Sequence, residues 1–430
     1  MKIPSVKGFH DILPDESARW SWMESQAREQ FARYGFTEIR IPIVERTELF
    51  SRSIGETTDI VEKEMYSFAD RDGSSLTLRP EGTASIVRAY VEHALAQREP
   101  VSKLFYLGPM FRRERPQKGR LRQFSQIGAE VIGRDDAAID AEVLLLLHDL
   151  LAALHIRSAQ IEFNSLGDGA CRPAYRAALQ AFGEANRADL CENCQRRLER
   201  NPLRLLDCKD HDCHAATKAA PLMIDYLCGP CRAHFDAVRG FLAREGVEPR
   251  LNPRMVRGLD YYCRTAFEVV AEGLGAQNAV GGGGRYDGLV KALGGPDTPG
   301  IGFALGVERL ILSMAEAGAT PLCPEVFIAP LGAAAESEGM HLAHRWRRAG
   351  VRVEMTAGGK SLKSQMRMAD KSGARYVVIL GEDELAARAL TVRDMTSKRD
   401  FPRAVDLSAS ADGLRAALAQ LAHEPVEQSA

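Results

Sequence analysis

The sequence predicts two units: an α+β domain with a mainly antiparallel sheet and a helical insertion, followed by a smaller α/β domain. Strand-like segments lie close together in the stretch 64–133, which is typical of neighbouring hairpins. The strand signal fades between about 170 and 250, where the pattern becomes helical. After residue 325 strands alternate with helices, as in a largely parallel sheet. We expect the units to span residues 1–321 and 322–430.

The composition is that of a folded globular protein of 430 residues, 45% of them hydrophobic and 27% charged. The formal net charge of −2 provides no global attraction to nucleic acid, so any contact with RNA depends on local basic patches. The N-terminus has no apolar core of the signal-peptide type. The most hydrophobic helical run, residues 141–154, is broken by His148 and Asp149. We expect a cytoplasmic protein with no membrane partner.

The elements follow from the spacing of the apolar residues. Trp20, Met23 and Phe31 recur at helical spacing and predict a core-facing helix over residues 17–34. Residues 35–45, GFTEIRIPIVE, alternate apolar and polar residues and predict a strand. The other elements expected in the first unit are strands or hairpins over 64–79, 104–111, 123–133, 161–167 and 267–272, and helices over 84–95 and 138–154. In the second unit we expect strands at VFIAPLG, VRVEMT, ARYVVILG and LTVRD, with a helix after each of the first two, and a final helix over 411–422.

The segment 104–133 is a predicted hairpin with a cationic tip. Two apolar runs flank residues 112–122, which hold six Arg or Lys residues against one Glu. Guanidinium groups held beside one pocket bind phosphate oxygens bidentately, whereas the alternative is a solvated basic loop. The order FRRERPQ, then RQF, then Gln126 and Glu130 resembles motif 2 of the class II aminoacyl-tRNA synthetases, in the form found in the histidyl-tRNA synthetases.

Two further motifs resemble this family on the amino-acid side. Residues 79–83, RPEGT, are similar to the loop that holds the α-amino group of the amino acid. The alternative is a purely local role, in which Glu81 complements a helix dipole and Thr83 caps the start of a helix. Residues 257–262, RGLDYY, resemble the histidine-specific signature, whose alternative is a surface arginine before a strand with packed tyrosines.

Two more motifs complete the resemblance. Residues 300–309, GIGFALGVER, are similar to motif 3, in which small residues leave room for a flat base and an arginine at a helix start stacks on it. Residues 281–288, GGGGRYDG, are not a GxGxxG loop, and their glycines let a strand backbone approach a ligand closely. The resemblance covers nearly the whole chain, with its motifs in family order.

The resemblance implies a role for each matching residue. Histidine is expected to bind to Glu81, Thr83, Arg112, Gln126, Glu130, Arg257, Tyr261, Tyr262 and Tyr286. ATP is expected to bind to Arg112, Arg120 and Arg309. The tRNA acceptor stem is expected to contact Arg115, Gln117 and Arg122. Arg112 and Arg257 would be the catalytic pair, because both grip the α-phosphate.

The implied reaction is ATP-dependent ligation of L-histidine to tRNA(His) through a histidyl-adenylate, with Mg²⁺ on the β- and γ-phosphates. Residues 17–45 resemble motif 1, which implies a homodimer with Pro42 near its interface. The second unit resembles the family's anticodon-binding domain; its alternative is a structural module. Two rival functions remain open: a synthetase-like regulatory subunit of histidine biosynthesis, and a noncatalytic tRNA-binding protein.

Six of the nine cysteines fall between residues 191 and 231, which suggests a metal site. Cys191 and Cys194 form one CxxC pair, and Cys228 and Cys231 form another; paired knuckles of this kind suit tetrahedral Zn²⁺. The alternative is a set of unmetallated thiols buried in helix packing. The intervening segment adds Cys208, His211, Cys213 and His214. Three cysteines are expected to be isolated thiols: Cys171, Cys263 and Cys323.

Overall fold

The computed structural model of the protein divides into two compact units, Met1–Thr320 and Pro321–Ala430. Residue 322, where we expect the second unit to begin, lies outside the described residues. The structure describes residues 3–55, 58, 60–208, 210–259, 261–272, 274, 278–314, 323–356 and 359–423. Within these ranges, no helix is both long and apolar enough to cross a membrane.

The elements of the described residues are given in chain order. The helices are α1 (Pro14–Arg33), α2 (Thr47–Ile54), α3 (Thr83–Glu92), α4 (Ala137–Ala153), α5 (Arg172–Ala185), α6 (Glu192–Arg200), α7 (His211–Ala216), α8 (Gly229–Arg244), α9 (Leu289–Ala292), α10 (Val307–Ser313), α11 (Ala333–Arg348), α12 (Leu362–Ser372), α13 (Glu382–Ala387) and α14 (Ala411–His423). The strands are β1 (Thr37–Glu38), β2 (Val44–Arg46), β3 (Tyr66–Ala69), β4 (Ser75–Leu78), β5 (Ser102–Phe111), β6 (Gln123–Ile132), β7 (Ala159–Ser165), β8 (Arg250–Leu251), β9 (Cys263–Ala271), β10 (Ala279–Arg285), β11 (Gly300–Gly306), β12 (Val326–Pro330), β13 (Val353–Met355), β14 (Tyr376–Leu380), β15 (Ala389–Asp394) and β16 (Arg399–Asp406).

The first unit is built on a large sheet with the strand order β1-β5-β6-β11-β10-β9-β7-β8 in the described part of the chain. The five central pairings are antiparallel, and the two edge pairings, β1 with β5 and β7 with β8, are parallel. A second, small antiparallel sheet has the order β2-β4-β3. The predicted α+β class with a mainly antiparallel sheet is confirmed.

The predicted hairpin is formed by β5 and β6, which pair over ten residues each, from Ser102 opposite Ile132 to Phe111 opposite Gln123. Residues 112–122 connect them and carry the cationic cluster. Because side chains alternate along a strand, Gln126 and Glu130 lie on the same face of β6.

The single strand predicted over residues 35–45 is wrong, because this segment contributes to two sheets. Its first part is β1, at the edge of the large sheet, and its last part begins β2 of the small sheet. Pro42 between them has no N–H to donate to a ladder. The Arg79 guanidinium instead bonds the carbonyls of Ile41 and Pro42 at 2.7 and 3.1 Å, which fixes the chain as it passes from one sheet to the other.

The core of the first unit lies between the large sheet and the helices α1, α4 and α8. Phe31 of α1 stacks on Phe105 of β5 with ring centroids 4.6 Å apart. Phe163 of β7 stacks in the same way on Phe235 of α8 at 5.0 Å. Helix α4 is apolar on most of its circumference and is buried accordingly.

The helical insertion predicted near residues 170–250 corresponds to helices α5 to α8, which lie between β7 and β9 in sequence. The second unit has a five-stranded sheet of order β13-β12-β14-β15-β16 in the described residues. Its β12 pairs in parallel with both neighbours, whereas β14, β15 and β16 are antiparallel. The expectation of a largely parallel sheet therefore holds for only half of the pairings. The missed elements, α13 and β16, are short or exposed and carry weak apolar patterns.

A buried ion pair joins α4 to the central sheet. Asp140 of α4 and Arg285 of β10 both have 0% exposed side chains and contact one another directly. Arg285 also donates to Asp287 Oδ1 at 2.9 Å, and Thr265 Oγ1 donates to Asp140 at 2.5 Å. Both the carboxylate and the guanidinium therefore have further hydrogen-bond partners, which a buried ion pair requires.

We expect Arg285→Met to lower the free energy of unfolding of the first unit by about 3–5 kcal/mol, because it leaves the Asp140 carboxylate buried without its cation. Arg33→Met is the matched control, since Arg33 pairs with Glu29 on the surface of α1 and such pairs contribute at most about 1 kcal/mol. Urea unfolding of both variants measures the difference. Equal effects of the two substitutions would contradict the buried-pair interpretation.

Candidate active site

A cavity of about 250 Å³ lies against the large sheet, lined by residues of β6, β9, β10 and β11, the starts of α3 and α10, and the hairpin connection. Nine of the eleven residues expected to bind histidine or ATP line it: Glu81, Thr83, Arg112, Arg120, Gln126, Arg257, Tyr261, Tyr262 and Arg309. Glu130 and Tyr286 lie behind the lining. The structure therefore brings residues from four separate motifs to one place.

Glu130 is the buried polar centre of this site, with 0% exposure. Thr83 Oγ1 donates to one carboxylate oxygen at 2.6 Å, and Tyr286 Oη donates to the other at 2.6 Å. Thr83 in turn faces the cavity, so Glu130 is one side chain removed from it. Gln126 of the same strand, by contrast, faces the cavity directly.

Gly302 of β11 provides the space for this carboxylate. It pairs with Glu130 across the β6–β11 ladder, and a Cβ on Gly302 would lie 1.8 Å from Glu130 Oε2. No side chain is compatible with the carboxylate in its present position. The small residues of the motif GIGFALGVER thus have a specific steric function at this position.

Burial raises the pKa of Glu130 from 4.5 to about 8. The hydroxyl donors Thr83 and Tyr286 oppose this rise, and the neighbouring Glu81 carboxyl adds to it. At neutral pH the ligand-free site therefore holds a proton on this carboxyl. A strongly perturbed carboxyl beside a cavity is typical of a functional site.

Tyr106 is a site residue that the sequence analysis missed. Its buried ring lies between Gly82 and Gly128, where a Cβ on either glycine would come within 2.3 Å of a ring atom. Its hydroxyl donates to Gln126 Oε1 at 3.3 Å. The only feature that could have identified Tyr106 is its position opposite Gly128 on the neighbouring strand, and that position follows from the register of the hairpin.

Glu81 has the local role that we considered as an alternative, whereas Thr83 does not cap the helix, because the N-cap of α3 is Gly82 and the Thr83 hydroxyl donates to Glu130. The Glu81 carboxylate accepts the backbone N–H groups of Thr83 and Ala84 at 2.8 Å each, at the start of α3. These bonds satisfy two of the free donors of the helix. They also fix both side chains at the edge of the cavity.

The histidine-signature tyrosines pack beside this polar centre. The Tyr261 and Tyr262 rings lie 4.6 Å apart, and Tyr261 meets Tyr286 edge-on at 5.9 Å. The Arg257 guanidinium lies 5.3 Å from the Tyr262 ring centroid and donates to Glu268 at 3.3 Å. Asp260 of the same motif lies outside the described residues.

The opposite end of the cavity is cationic. Arg112 is held by a bond from its Nε to the Pro80 carbonyl at 2.9 Å and by the face of Phe124 at 5.3 Å. Burial and the neighbouring Arg120 lower the pKa of Arg309. Four arginines at one end of a cavity form a site for a polyanion.

Three carboxyl groups lie among these arginines and were not assigned from the sequence. Glu114 bonds Arg120 at 2.9 Å, and Glu268 bonds Arg257. Glu308, directly before Arg309, accepts the Ser125 backbone N–H at 2.9 and 3.1 Å, and burial raises its pKa to about 7. In the sequence, the only feature that pointed to Glu114 and Glu308 as site residues was that each lies next to an arginine predicted to bind a ligand.

The residues predicted to contact the acceptor stem lie in the hairpin connection. Arg115 and Gln117 are exposed there. Arg122 differs, because its side chain bonds the carbonyls of Glu114 and Lys7 and its backbone N–H bonds Gly8. Arg122 thus joins the N-terminal segment to the hairpin.

The two CxxC pairs do not form one ligand set. Cys191 and Cys194 lie with Cys208 and Cys213, whereas Cys228 and Cys231 lie with Cys171 and Asp168. The expectation that Cys171 is an isolated thiol is wrong. Sequence spacing could not identify these partners, because they come from other helices.

Comparison with known proteins agrees with this geometry. The histidyl-tRNA synthetase family profile matches residues 8–310. The chain belongs to the histidyl-tRNA synthetase family. An anticodon binding domain profile matches residues 325–416.

Relatives match the chain over nearly its whole length. The histidine–tRNA ligase of Syntrophotalea carbinolica is 54% identical over 94% of this chain and 97% of its own. That of Geobacter sulfurreducens is 55% identical over 91% and 95%. The crystal structure of the apo histidyl-tRNA synthetase of S. aureus superimposes with a TM-score of 0.79 at 35% identity, over 95% of this chain and 98% of the other. The chain is an enzyme that ligates histidine to tRNA, and the class II fold is confirmed.

We expect Gly302→Ala to reduce histidine-dependent ATP–pyrophosphate exchange about tenfold or more, because the methyl group displaces Glu130 and a shift of about 1 Å at a binding group can cost about 10²-fold. Gly288→Ala is the matched control, since a Cβ there meets no atom within 4 Å. Exchange kinetics as a function of histidine concentration measure the effect. An unchanged KM for histidine in Gly302→Ala would contradict this role.

The raised pKa of Glu130 predicts a specific pH dependence of stability. Between pH 4.5 and about 8 the unfolded chain releases this proton while the ligand-free folded protein retains it, so stability falls as pH rises through that window. One proton corresponds to a slope of about 1.4 kcal/mol per pH unit. We expect Glu130→Gln to remove this contribution and to gain stability relative to the wild type as pH rises.

Urea unfolding of the ligand-free protein at several pH values measures this difference. Glu29→Gln, at an exposed position on α1, is the control and should follow the wild-type pH dependence. A Glu130→Gln curve parallel to wild type would show that the carboxyl is ionised in the folded protein throughout the window.

Proposed function

We propose that this cavity activates L-histidine with ATP and Mg²⁺ to histidyl-adenylate and then transfers the histidyl group to the terminal adenosine of tRNA(His). The observation that carries the proposal is the arrangement of one buried, hydroxyl-bonded carboxyl, Glu130, directly behind one end of a cavity whose other end holds four arginines. A small basic ring and a polyphosphate are the ligands that these two ends fit.

The amino-acid end binds histidine. An ionised carboxylate accepts about four hydrogen bonds, so Glu130 has acceptor positions left beside the Thr83 and Tyr286 hydroxyls. The imidazole N–H reaches one of them once the Thr83 side chain, which separates Glu130 from the cavity, turns aside. Gln126, Tyr261 and Tyr262 complete the pocket for the ring, and Glu81 and Thr83 hold the α-ammonium group. A site built from such bonds rejects apolar analogues by about 10⁴ or more, since they leave its polar groups unpaired.

The cationic end binds ATP. Arg112 and Arg257 grip the α-phosphate, and Arg309 stacks on adenine and reaches the γ-phosphate beside Arg120. Mg²⁺ neutralises the β- and γ-phosphates, and the carboxylates at this end are oxygen ligands of the kind that it prefers. A fixed arginine stabilises the charge that develops on the α-phosphate without rearrangement during the reaction.

The chemistry needs no protein nucleophile. The histidine carboxylate attacks the α-phosphorus, the bond to the bridging oxygen breaks, and pyrophosphate leaves. The 3′-terminal ribose hydroxyl of tRNA then attacks the activated carbonyl carbon, and AMP leaves. Alignment of the two reactants and electrostatic stabilisation account for most of the rate.

Recognition of tRNA uses both units. The exposed hairpin residues Arg115 and Gln117, with Arg122 behind them, lie against the acceptor stem. We assign residues 1–321 to the catalytic core and residues 322–430 to the anticodon-binding domain. Lys and Arg side chains on the helices of the second unit supply salt-sensitive phosphate contacts.

We also propose a cytoplasmic homodimer. Ile43, Val44 and Phe68, on and beside the small sheet, are large apolar side chains that are 40% exposed or more. Ile43 and Val44 directly follow Pro42, where the resemblance to motif 1 places the interface, and Phe68 lies on β3 of the same small sheet. A shared apolar face of this kind is typical of a two-fold interface.

The test is ATP–pyrophosphate exchange with histidine and with every other amino acid. We expect exchange with histidine alone, and a loss of about 10²–10³-fold in kcat for Arg257→Ala, which removes a cation from the α-phosphate. Arg98→Ala, at an exposed arginine outside the cavity, should retain wild-type exchange. Wild-type exchange in Arg257→Ala would contradict the assigned role of this arginine.

No exchange from folded wild-type protein supplied with Mg²⁺ would contradict the whole proposal. Binding of tRNA would then distinguish the two rival functions, because a regulatory subunit of histidine biosynthesis would not require it.

A further inference from the structure

Eight side chains in the helical insertion form two compact clusters of ligand atoms. The first contains Cys191, Cys194, Cys208 and Cys213, and the second contains Asp168, Cys171, Cys228 and Cys231. Within each cluster all ligand atoms lie within 4.8 Å of one another. Four thiols, or three thiols and a carboxylate, gathered this closely require an explanation beyond helix packing.

The sulfur spacing fits a tetrahedral metal ion. Cys191 Sγ and Cys208 Sγ are 3.8 Å apart, and Cys228 Sγ and Asp168 Oδ1 are 4.0 Å apart. Four sulfurs bonded to Zn²⁺ at about 2.3 Å lie about 3.8 Å from one another, whereas a disulfide brings two sulfurs to about 2.05 Å. All nine cysteines are free thiols.

The two CxxC pairs have the same local structure. Cys191 is the N-cap of α6, with φ −63° and ψ 155°, and Cys228 is the N-cap of α8, with φ −65° and ψ 163°. Cys194 and Cys231 follow in the first turns of these helices. The N-terminus of a helix stabilises a thiolate, which is the form that binds metal.

The second cluster has an additional donor. The Cys228 backbone N–H bonds Cys171 Sγ at 3.1 Å, and Cys171 is itself the N-cap of α5. Asp168 supplies the oxygen ligand from the turn before that helix. The nearby histidines do not contribute: His211 is 97% exposed, and neither it nor His214 belongs to a cluster.

The insertion has a small apolar core that depends on these thiols. Five of the thirteen buried residues of its core are cysteines. Small cores of this kind are usually completed by a metal or by disulfides. The cysteines are free, and their spacing fits metal coordination better than disulfide bonding.

We propose that the insertion holds two structural zinc ions, one bound by the four thiolates of the first cluster and the other by the three thiolates and the Asp168 carboxylate of the second. Sulfur-rich tetrahedral sites select zinc among the common divalent ions. Each coordinating thiol loses its proton to solvent as the metal binds. The first ion joins α6 to α7, and the second joins the turn before α5 to α8.

The second ion lies close to the histidine pocket. Asp168 and Cys171 directly precede Arg172, whose guanidinium bonds the carbonyl of Tyr262, a residue of that pocket. The same guanidinium bonds Leu166 at 3.3 Å. The second ion therefore acts as a positioning element for Tyr262, whereas the first ion lies within the insertion alone.

Metal analysis of the full-length protein, purified without chelators, tests the proposal. We expect two zinc ions per chain, and one ion per chain in both Cys213→Ser and Cys231→Ser. Cys323→Ser, in the second unit and outside both clusters, should keep two. A chain without zinc, or two ions retained in either cluster variant, would overturn the assignment.

X-ray absorption of the wild-type protein gives a test that does not depend on the folding of a variant. We expect an average of 3.5 sulfur ligands per zinc, from one site with four sulfurs and one with three. Four nitrogen or oxygen ligands would overturn the proposal, since they would indicate adventitious surface metal.

Exchange kinetics separate the two ions. We expect the KM for histidine to rise severalfold in Cys231→Ser with little change in kcat, and to remain at the wild-type value in Cys213→Ser. An equal effect of the two variants would contradict a positioning role specific to the second ion, while the metal counts would still test both sites.

Discussion

The site depends on one steric constraint: a carboxylate is buried between two paired strands because the residue opposite has no side chain. Glu130 and Gly302 face one another across the β6–β11 ladder, and any Cβ on Gly302 would occupy the position of a carboxylate oxygen. The register of the ladder is therefore part of the binding site. A slip by one residue would place Glu130 on the opposite face of the sheet.

This buried carboxyl is unfavourable in the ligand-free protein and becomes useful when a ligand arrives. Desolvation disfavours its ionised form, and the two hydroxyl donors compensate only partly, which is why its pKa remains near 8. Under the proposed function, a basic imidazole with a donor N–H restores the missing interaction. Specificity then follows from the same energy, because a ligand that cannot donate leaves the carboxyl uncompensated.

Much of this organisation can be predicted from local sequence patterns. What cannot be predicted depends on contacts between segments that are distant in sequence. The β5–β6 hairpin was predictable because its strands are adjacent in the chain and its apolar runs are long. The split of residues 35–45 between two sheets was not, since it depends on Arg79, which is distant in sequence and bonds the carbonyls around Pro42. The family motifs identified the arginines, but the packing of Tyr106 between two glycines appears only once the strands are paired.

The cysteines show the same limit of prediction, because their local motifs were visible in the sequence but their spatial partners were not. The two CxxC pairs were visible as local patterns, and their identical N-cap geometry is a local property. Which pair shares a site with which other residue depends on helix packing. For that reason Asp168 and Cys171, more than fifty residues before Cys228, could not be recognised as its partners.

The two ends of the cavity differ in how they are supported, and this bears on the order of events in the reaction. Glu130 and Gln126 are on β6, which is paired with a strand on each side, so this part of the site has a fixed backbone. The cationic end includes the hairpin connection, where Glu114 already bonds Arg120 at 2.9 Å. Under the proposed function, the phosphates of ATP compete with Glu114 for the Arg120 guanidinium, so nucleotide binding requires a local rearrangement at this end. An amino-acid pocket anchored on paired strands beside an adaptable phosphate pocket would then let the enzyme select its amino acid by shape and hydrogen bonding before the arginines close on the triphosphate.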